Sequence, residues 1–66
     1  MNEQAPDNIS TFLYFKLADD VEGNIKTGNF RIGEKLPSLR DMHTRTGLSI
    51  STVYQAYMEL EKRGLI

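Results

Sequence analysis

Apolar residues recur at steps of three and four along the first half of the chain, as one buried face of a helix requires. The residues of this predicted face are Phe12, Phe15, Leu17, Ala18, Val21 and Ile25. Ser10 precedes all of them as a predicted N-cap, and Gly28 follows where a helix ends. The pattern predicts a first helix over about residues 11–27, which needs tertiary packing because Gly23 lies inside it.

A second, shorter helix is marked at both ends. Two glycines and a proline make residues 28–37 a turn-rich connector, with room for a short extended piece. Ser38 is the predicted N-cap, and Asp41 completes a carboxylate variant of the capping box in the first turn. Gly47 then ends the helix, which we expect over about residues 39–46.

A third helix follows a turn that contains Leu48. Ser49 is its predicted N-cap and Gly64 its end, so we expect it over about residues 50–63. Its apolar positions fall within one arc of the helix surface, which we expect to face the core. That arc comprises Val53, Ala56, Tyr57 and Leu60. The outward positions are Ser51, Tyr54, Gln55, Met58 and Lys62.

Two short helices joined by a tight glycine-containing turn form a helix-turn-helix pattern over about residues 39–58. The free N–H groups at the start of the third helix suit a phosphate. Its first outward residues are small and polar, so the helix can approach base edges in a major groove. Gln55 can pair with N6 and N7 of adenine, a contact that contributes about 1–3 kcal/mol of discrimination. The pattern favours sequence-specific DNA binding; the alternative is a protein-interaction module of the same shape.

The length of 66 residues limits the chain to one small domain. The chain has no cysteine. Residues 1–9 are polar and acidic, which excludes a secretory signal and predicts a disordered lead-in to a domain over residues 10–66. No apolar run approaches the roughly 18 residues that span a membrane. The net charge is −1, yet residues 31–66 carry six basic and four acidic side chains, whereas residues 1–30 carry two and five. The predicted DNA-binding half is therefore mildly basic.

The same inventory argues against an enzyme, since it holds no nucleophile–base pair, metal cluster or phosphate-cradling glycine loop. We expect His43 to lie at the surface or at its boundary. The acidic side chains of the first helix, Asp19, Asp20 and Glu22, are expected to form a solvated face. Lys62 and Arg63 are expected mainly to complement the helix C-terminal dipole.

Four segments in register resemble the GntR family of winged helix-turn-helix regulators: LPSLRDM (36–42), GLS (47–49), TV (52–53) and LEKRGLI (60–66). The resemblance covers the chain from about Phe12 onward. It implies an all-α core with a small β wing, that is, a three-helix winged helix-turn-helix. Leu65 and Ile66 would begin a strand, and the wing hairpin would follow Ile66.

The run SISTVYQAY, residues 49–57, resembles the MocR-like branch more than a branch of small regulators with a short helical dimerisation tail. MocR-like regulators join this head to an aminotransferase-like domain that binds pyridoxal phosphate. The resemblance thus implies no cofactor in this fragment and pyridoxal phosphate in a downstream domain. It also implies a cytoplasmic protein that binds a double-stranded DNA operator as a homodimer, since one small head offers only about 600–1,000 Å² of contact.

The resemblance further implies which residues contact DNA. They are Lys35, Ser38, Arg40, Ser49, Ile50, Ser51, Thr52, Tyr54 and Gln55. Arg40 would hold a phosphate or reach a base, and the hydroxyls of the third helix would bind phosphates without reading sequence. Ile50 and Tyr54 stand where relatives often have basic residues, so Ile50 would contact a thymine methyl or pack as the first core residue. His43 and Thr46 also depart from the family, where a small and an apolar residue are usual.

Overall fold

The computed structural model describes residues 4–30 and 36–66, with side chains from Ile9 onward. Three helices make up the described part: α1 (Gln4–Lys26), α2 (Leu39–Thr46) and α3 (Ile50–Lys62). No strand occurs within the described residues, so the β wing stays a prediction. Most of the short extended piece expected between α1 and α2 lies at residues 31–35, outside the described residues.

The first helix begins earlier than its sequence pattern predicts. It starts at Gln4, so Ser10 lies inside it and is not its N-cap. Pro6 falls in the first turn, where proline is tolerated because those amides have no partner within the helix. The predicted disordered lead-in therefore gives way to helix from Gln4, and residues 1–3 lie outside the described residues.

Among the side chains that the structure describes, the buried residues of α1 all lie in its second half. Leu17, Ala18, Val21 and Ile25 are buried as predicted, but the prediction for Phe12 and Phe15 is wrong: they are 64% and 39% exposed. The nine residues from Phe12 to Val21, at about 100° each, turn Phe12 to the opposite side of the helix. At about 1.5 Å per residue, α1 is also much longer than α3, so its N-terminal turns extend past their neighbour.

Both ends of α2 agree with the prediction. The Ser38 hydroxyl accepts the Asp41 amide at 3.0 Å, as an N-cap does. At the other end Gly47 has a φ of 76°, a left-handed conformation that favours glycine, and its amide donates to the carbonyl of His43. Met42 is the buried residue of this helix.

The core is built around α3, which packs against both other helices. Val53, Ala56 and Leu60 are fully buried, as the sequence predicts. Tyr57 is half-buried, and its hydroxyl donates to the carbonyl of Pro37 at 2.7 Å. Partly buried side chains enclose this core: Tyr14, Phe30, Leu36, Leu39, Leu48, Tyr57 and Leu65. The helix ends at Lys62, one residue before the predicted end.

Arg63 connects α3 to α1 through three carboxylates. Its Nη1 donates to Asp19 at 2.9 Å and to Glu22 at 2.7 Å, and its Nε donates to Glu59 at 2.9 Å. The prediction of a solvated acidic face is confirmed for Asp19, which is exposed although it pairs with Arg63, and it is wrong for Glu22, which is half-buried. Arg63 does more than complement a helix end. The bonds from Lys26 and Arg63 hold the pKa of Glu22 below its usual value.

Candidate nucleic-acid interface

The turn between α2 and α3 is held by side chains from α2. The Thr46 hydroxyl donates to the carbonyl of Met42 at 2.8 Å and accepts the amide of Leu48 at 3.1 Å. The Nδ1 of His43 hydrogen-bonds the carbonyl of Leu48. His43 is half-buried, as expected of a boundary residue. Both backbone polar groups of Leu48 are thus bound to side chains.

Ser49 caps α3 at the point where the turn ends. Its hydroxyl accepts the Thr52 amide at 3.1 Å and lies 2.9 Å from Thr52 Oγ1, to which it donates. A second hydroxyl, Ser51 Oγ, lies 3.3 Å away. The amides of Ile50 and Ser51 precede the first intrahelical donor, the Val53 amide, which bonds the Ser49 carbonyl, so helix geometry leaves them open to an anion.

Thr52 differs from the other predicted phosphate ligands, because it is buried and only 6% exposed. Its hydroxyl and its amide both bond Ser49, within the cap. Ser49 and Ser51, by contrast, are exposed. The described geometry therefore gives Thr52 a part in shaping the cap, and it leaves the two serines as the accessible hydroxyls.

The outward face of α3 is separate from its core face, as predicted. Ser51 and Gln55 are exposed, and so are Ile50 at 41%, Tyr54 at 51% and Met58 at 46%. Ile50 is too exposed to be the first core residue, which removes one of its two predicted roles. The outward face thus combines small hydroxyls and an amide with three apolar side chains, a surface that can contact both the polar edges and the methyl groups of bases.

The cations of the chain fall into two groups within residues 9–30 and 36–66. Lys16, Lys26 and Arg63 each pair with carboxylates of α1 or α3. Arg40, Arg45 and Lys62 are exposed, and they pair with no carboxylate in that part of the chain. The unpaired group lies on the two helices of the helix-turn-helix and is available to phosphates. Ser38 is exposed but holds the α2 cap, and Lys35 lies outside the described residues.

Sequence reasoning missed the contacts of three side chains: His43, Thr46 and Arg63. The roles of His43 and Thr46 had a local signal. The Thr46 hydroxyl lies four residues after Met42 and two before Leu48, so it can reach the carbonyl of the first and the amide of the second. His43 lies five residues before Leu48. The bonds from Arg63 to α1 had none, because they join residues 41 and 44 positions apart.

Among the described side chains, no group of histidines, cysteines or carboxylates has the arrangement of a metal site. None of the described helices is long and apolar enough to cross a membrane.

Comparison with known proteins agrees with a helix-turn-helix whose second helix is capped and has an outward face. The family model described as "Bacterial regulatory proteins, gntR family" matches residues 13–66. The chain belongs to the GntR family. The sequence-based prediction of the family, and of a DNA-binding rather than an enzymatic domain, is thereby confirmed. The described three-helix arrangement agrees with a GntR helix-turn-helix.

Curated GntR-type relatives carry names of transcriptional regulators. The chain is 49% identical over 53 residues to YjiR, an uncharacterised HTH-type transcriptional regulator of Escherichia coli, a match covering 80% of this chain and 11% of YjiR. It is 35% identical over 66 residues to the HTH-type transcriptional regulator GgaR of Escherichia coli, covering 100% of this chain and 27% of GgaR. YcxD of Bacillus subtilis, also an uncharacterised HTH-type regulator, is 40% identical over 53 residues, covering 80% of this chain and 12% of YcxD. No solved structure matches the chain.

The chain therefore spans about a tenth to a quarter of the length of these GntR-type relatives. The chain matches relatives of which it covers about a tenth and relatives of which it covers about a quarter. The MocR-like branch therefore stays a prediction.

Proposed function

We propose that this domain binds a double-stranded DNA operator by placing the first turns of α3 in the major groove, as the head of a longer transcriptional regulator. The observation that carries this proposal is the separation of the two faces of α3. Val53, Ala56 and Leu60 hold the helix from behind, while Ser51 and Gln55 remain exposed on the other side. A helix fixed in this way presents side chains to bases without having to unpack from its domain.

Phosphate contacts position the helix in this proposal. The open amides at the start of α3 and the hydroxyls of Ser49 and Ser51 lie together at one helix end, where the helix dipole is positive. Arg40, exposed and without an ion-pair partner among the described residues, adds a full charge. Ser38 and Lys35, just before α2, complete the set that the family resemblance assigns. Thr52 contributes through the Ser49 cap.

Base contacts belong to the outward side chains that follow. Gln55 has the donor and acceptor that adenine presents in the major groove. Ile50 and Tyr54 offer apolar surface to a thymine methyl, where relatives often carry basic side chains. The operator is therefore expected to contain A·T pairs at the positions that the first turns of α3 face.

The finer assignments concern the longer protein. We place the chain in the MocR-like branch, supported by its 49% identity to a relative of which it covers only 11%. In that branch the downstream domain would bind pyridoxal phosphate, and no residue of this chain is assigned to the cofactor. The longer protein would act as a cytoplasmic homodimer, each head binding half of an operator.

A protein-interaction role is the second candidate, and one observation favours it. Ile50, Tyr54 and Met58 form an exposed apolar series at intervals of four residues along α3. Such a series also suits a protein partner. A partner bound in this way would have to cover Ser51 and Gln55 as well, and its affinity would show little dependence on salt.

Binding to a selected DNA pool, measured by fluorescence anisotropy over a range of salt, tests the proposal. Arg40→Ala should weaken binding to all sequences and reduce the slope of log affinity against log salt by about 0.9. Gln55→Ala should relax the preference at one operator position by about 1–3 kcal/mol and leave non-specific binding nearly unchanged. Lys26→Ala is the matched control, because it removes one exposed charge that already pairs with Glu22. Equal behaviour of Arg40→Ala, Gln55→Ala and the control would contradict the groove assignment.

A further inference from the structure

Leu48 lies in the turn between α2 and α3, and two side chains of α2 hydrogen-bond its backbone amide and carbonyl. The Thr46 hydroxyl accepts its amide at 3.1 Å, and Nδ1 of His43 bonds its carbonyl. The same Thr46 hydroxyl donates to the carbonyl of Met42 at 2.8 Å, which anchors the pair to the last turn of α2. A carbonyl oxygen can only accept, so Nδ1 of His43 carries the proton.

These contacts occur at two positions where this chain departs from the pattern of the family it resembles. The bonds depend on the imidazole of His43 and the hydroxyl of Thr46, groups that an apolar side chain lacks. The turn of this chain is therefore held by hydrogen bonds at both positions.

We propose that His43 and Thr46 form a polar clamp on Leu48 that sets the angle at which α3 is presented to DNA. The clamp rests on the proposed function and deepens it, because it assigns these two residues as positioning residues for DNA recognition. Only residues 47–49 separate the two helices. Gly47, at a φ of 76°, is a backbone position with much freedom, so the bonds at Leu48 remove motion exactly where Ser49 must be aligned with a phosphate.

The clamp can be removed or kept by pairs of variants that differ little in size. Thr46→Ser keeps the hydroxyl and Thr46→Val removes it with nearly the same shape. His43→Asn places its amide nitrogen two bonds from Cβ, where Nδ1 of histidine lies, whereas His43→Gln places it one bond further out. Gln is a better helix former than Asn, so an effect on the stability of α2 alone would rank the second pair in the opposite order.

The test measures operator affinity, non-specific DNA affinity and the exchange rate of the Leu48 amide in the 66-residue chain. We expect Thr46→Val and His43→Gln to weaken operator binding about fivefold, the effect of losing about one hydrogen bond. Thr46→Ser and His43→Asn should bind within about twofold of the unaltered chain, within the scatter of such measurements. Non-specific affinity should be unchanged in all four, and the Leu48 amide should exchange faster in Thr46→Val than in Thr46→Ser.

Two outcomes would overturn the clamp. Operator affinities that do not separate Val from Ser, or Gln from Asn, while the unaltered chain binds its operator, would leave these residues without a positioning role. Unchanged exchange of the Leu48 amide in Thr46→Val would show that the hydroxyl does not hold the turn. Failure of the unaltered chain to bind any DNA is a different result: it refutes the proposed function, and the positioning role falls with it.

Discussion

Replacing Ser49 with alanine removes the hydroxyl that caps α3. That hydroxyl accepts the Thr52 amide at 3.1 Å and donates to Thr52 Oγ1 at 2.9 Å. Losing a serine N-cap costs about 0.5–2 kcal/mol of folding free energy. Thr52 is only 6% exposed, so water replaces these bonds poorly. We therefore expect Ser49→Ala to lower the free energy of unfolding by about 1.5 kcal/mol, in the upper half of that range.

Urea unfolding followed by far-ultraviolet circular dichroism measures this loss. A domain of this size has a slope of about 1 kcal/mol per molar urea, so the midpoint should fall by about 1.5 M. Met58→Ala is the control on the same helix, since Met58 is 46% exposed and its replacement should change stability by no more than about 0.5 kcal/mol. Equal midpoints for Ser49→Ala and Met58→Ala would refute the reasoning about the cap.

Ser49→Asp distinguishes the capping role of Ser49 from its proposed contact with a phosphate. Aspartate caps a helix as well as serine does and is favoured by the helix dipole, so the free energy of unfolding should be retained. Its charge beside a DNA phosphate should cost about 1–3 kcal/mol, which is a loss of about fivefold to 150-fold in operator affinity. Fluorescence anisotropy measures that loss. A stable Ser49→Asp chain that binds DNA as tightly as the unaltered one would place Ser49 outside the phosphate contacts.

Two further predictions concern the fold. Gly47 has a φ of 76° with open space around it. Gly47→Ala should therefore lower the free energy of unfolding only by the backbone penalty of about 1–2 kcal/mol, and Gly47→Asn should lower it less. A midpoint of thermal unfolding, measured by calorimetry, that alanine leaves unchanged would contradict this. Burial raises the pKa of Tyr57 above its usual 10.0, so folding favours the neutral phenol. The stability from this group is complete below pH 10.0 and is lost as the pH rises through the higher pKa of the folded state. Urea titrations on both sides of that pH should show a steeper alkaline decline for the unaltered chain than for Tyr57→Phe, and equal declines would exclude this source.

The caps and the core of α3 were predictable because their signals are local. Ser38, Gly47 and Ser49 each act within a few residues of their own position, and capping chemistry depends on residue type at short spacing. The arc of Val53, Ala56 and Leu60 follows from helical geometry alone. From these features alone the sequence predicts the helix-turn-helix and its outward face.

The face and the start of α1 were harder to predict. Steps of three link Phe12 to Phe15 and Phe15 to Ala18, but repeated steps of three do not keep the summed rotation on one face. Phe12 is 64% exposed for that reason. The start at Gln4 was hidden because polar residues in a helix that extends past its neighbour carry no periodic signal.

The candidate site was predicted in outline and misjudged in detail for a related reason. Which face of α3 points outward follows from the local pattern, but which hydroxyl is free depends on neighbours. Thr52 lies four residues before Ala56 and therefore shares the buried face of α3, and its hydroxyl is taken by Ser49. Arg63 binds Asp19 and Glu22, which lie on another helix, and pairing at that range cannot be derived from spacing.

The division of α3 into a packed face and an open face has a consequence for how such a domain changes over time. Ser51, Tyr54 and Gln55 bear almost none of the packing, so exchanging them should alter stability by no more than about 0.5 kcal/mol. A new operator can then be reached by single exchanges at these positions, each passing through a folded intermediate. The same independence offers a route to redesign, in which a library restricted to the open face samples target sequences while Val53 and Leu60 stay fixed.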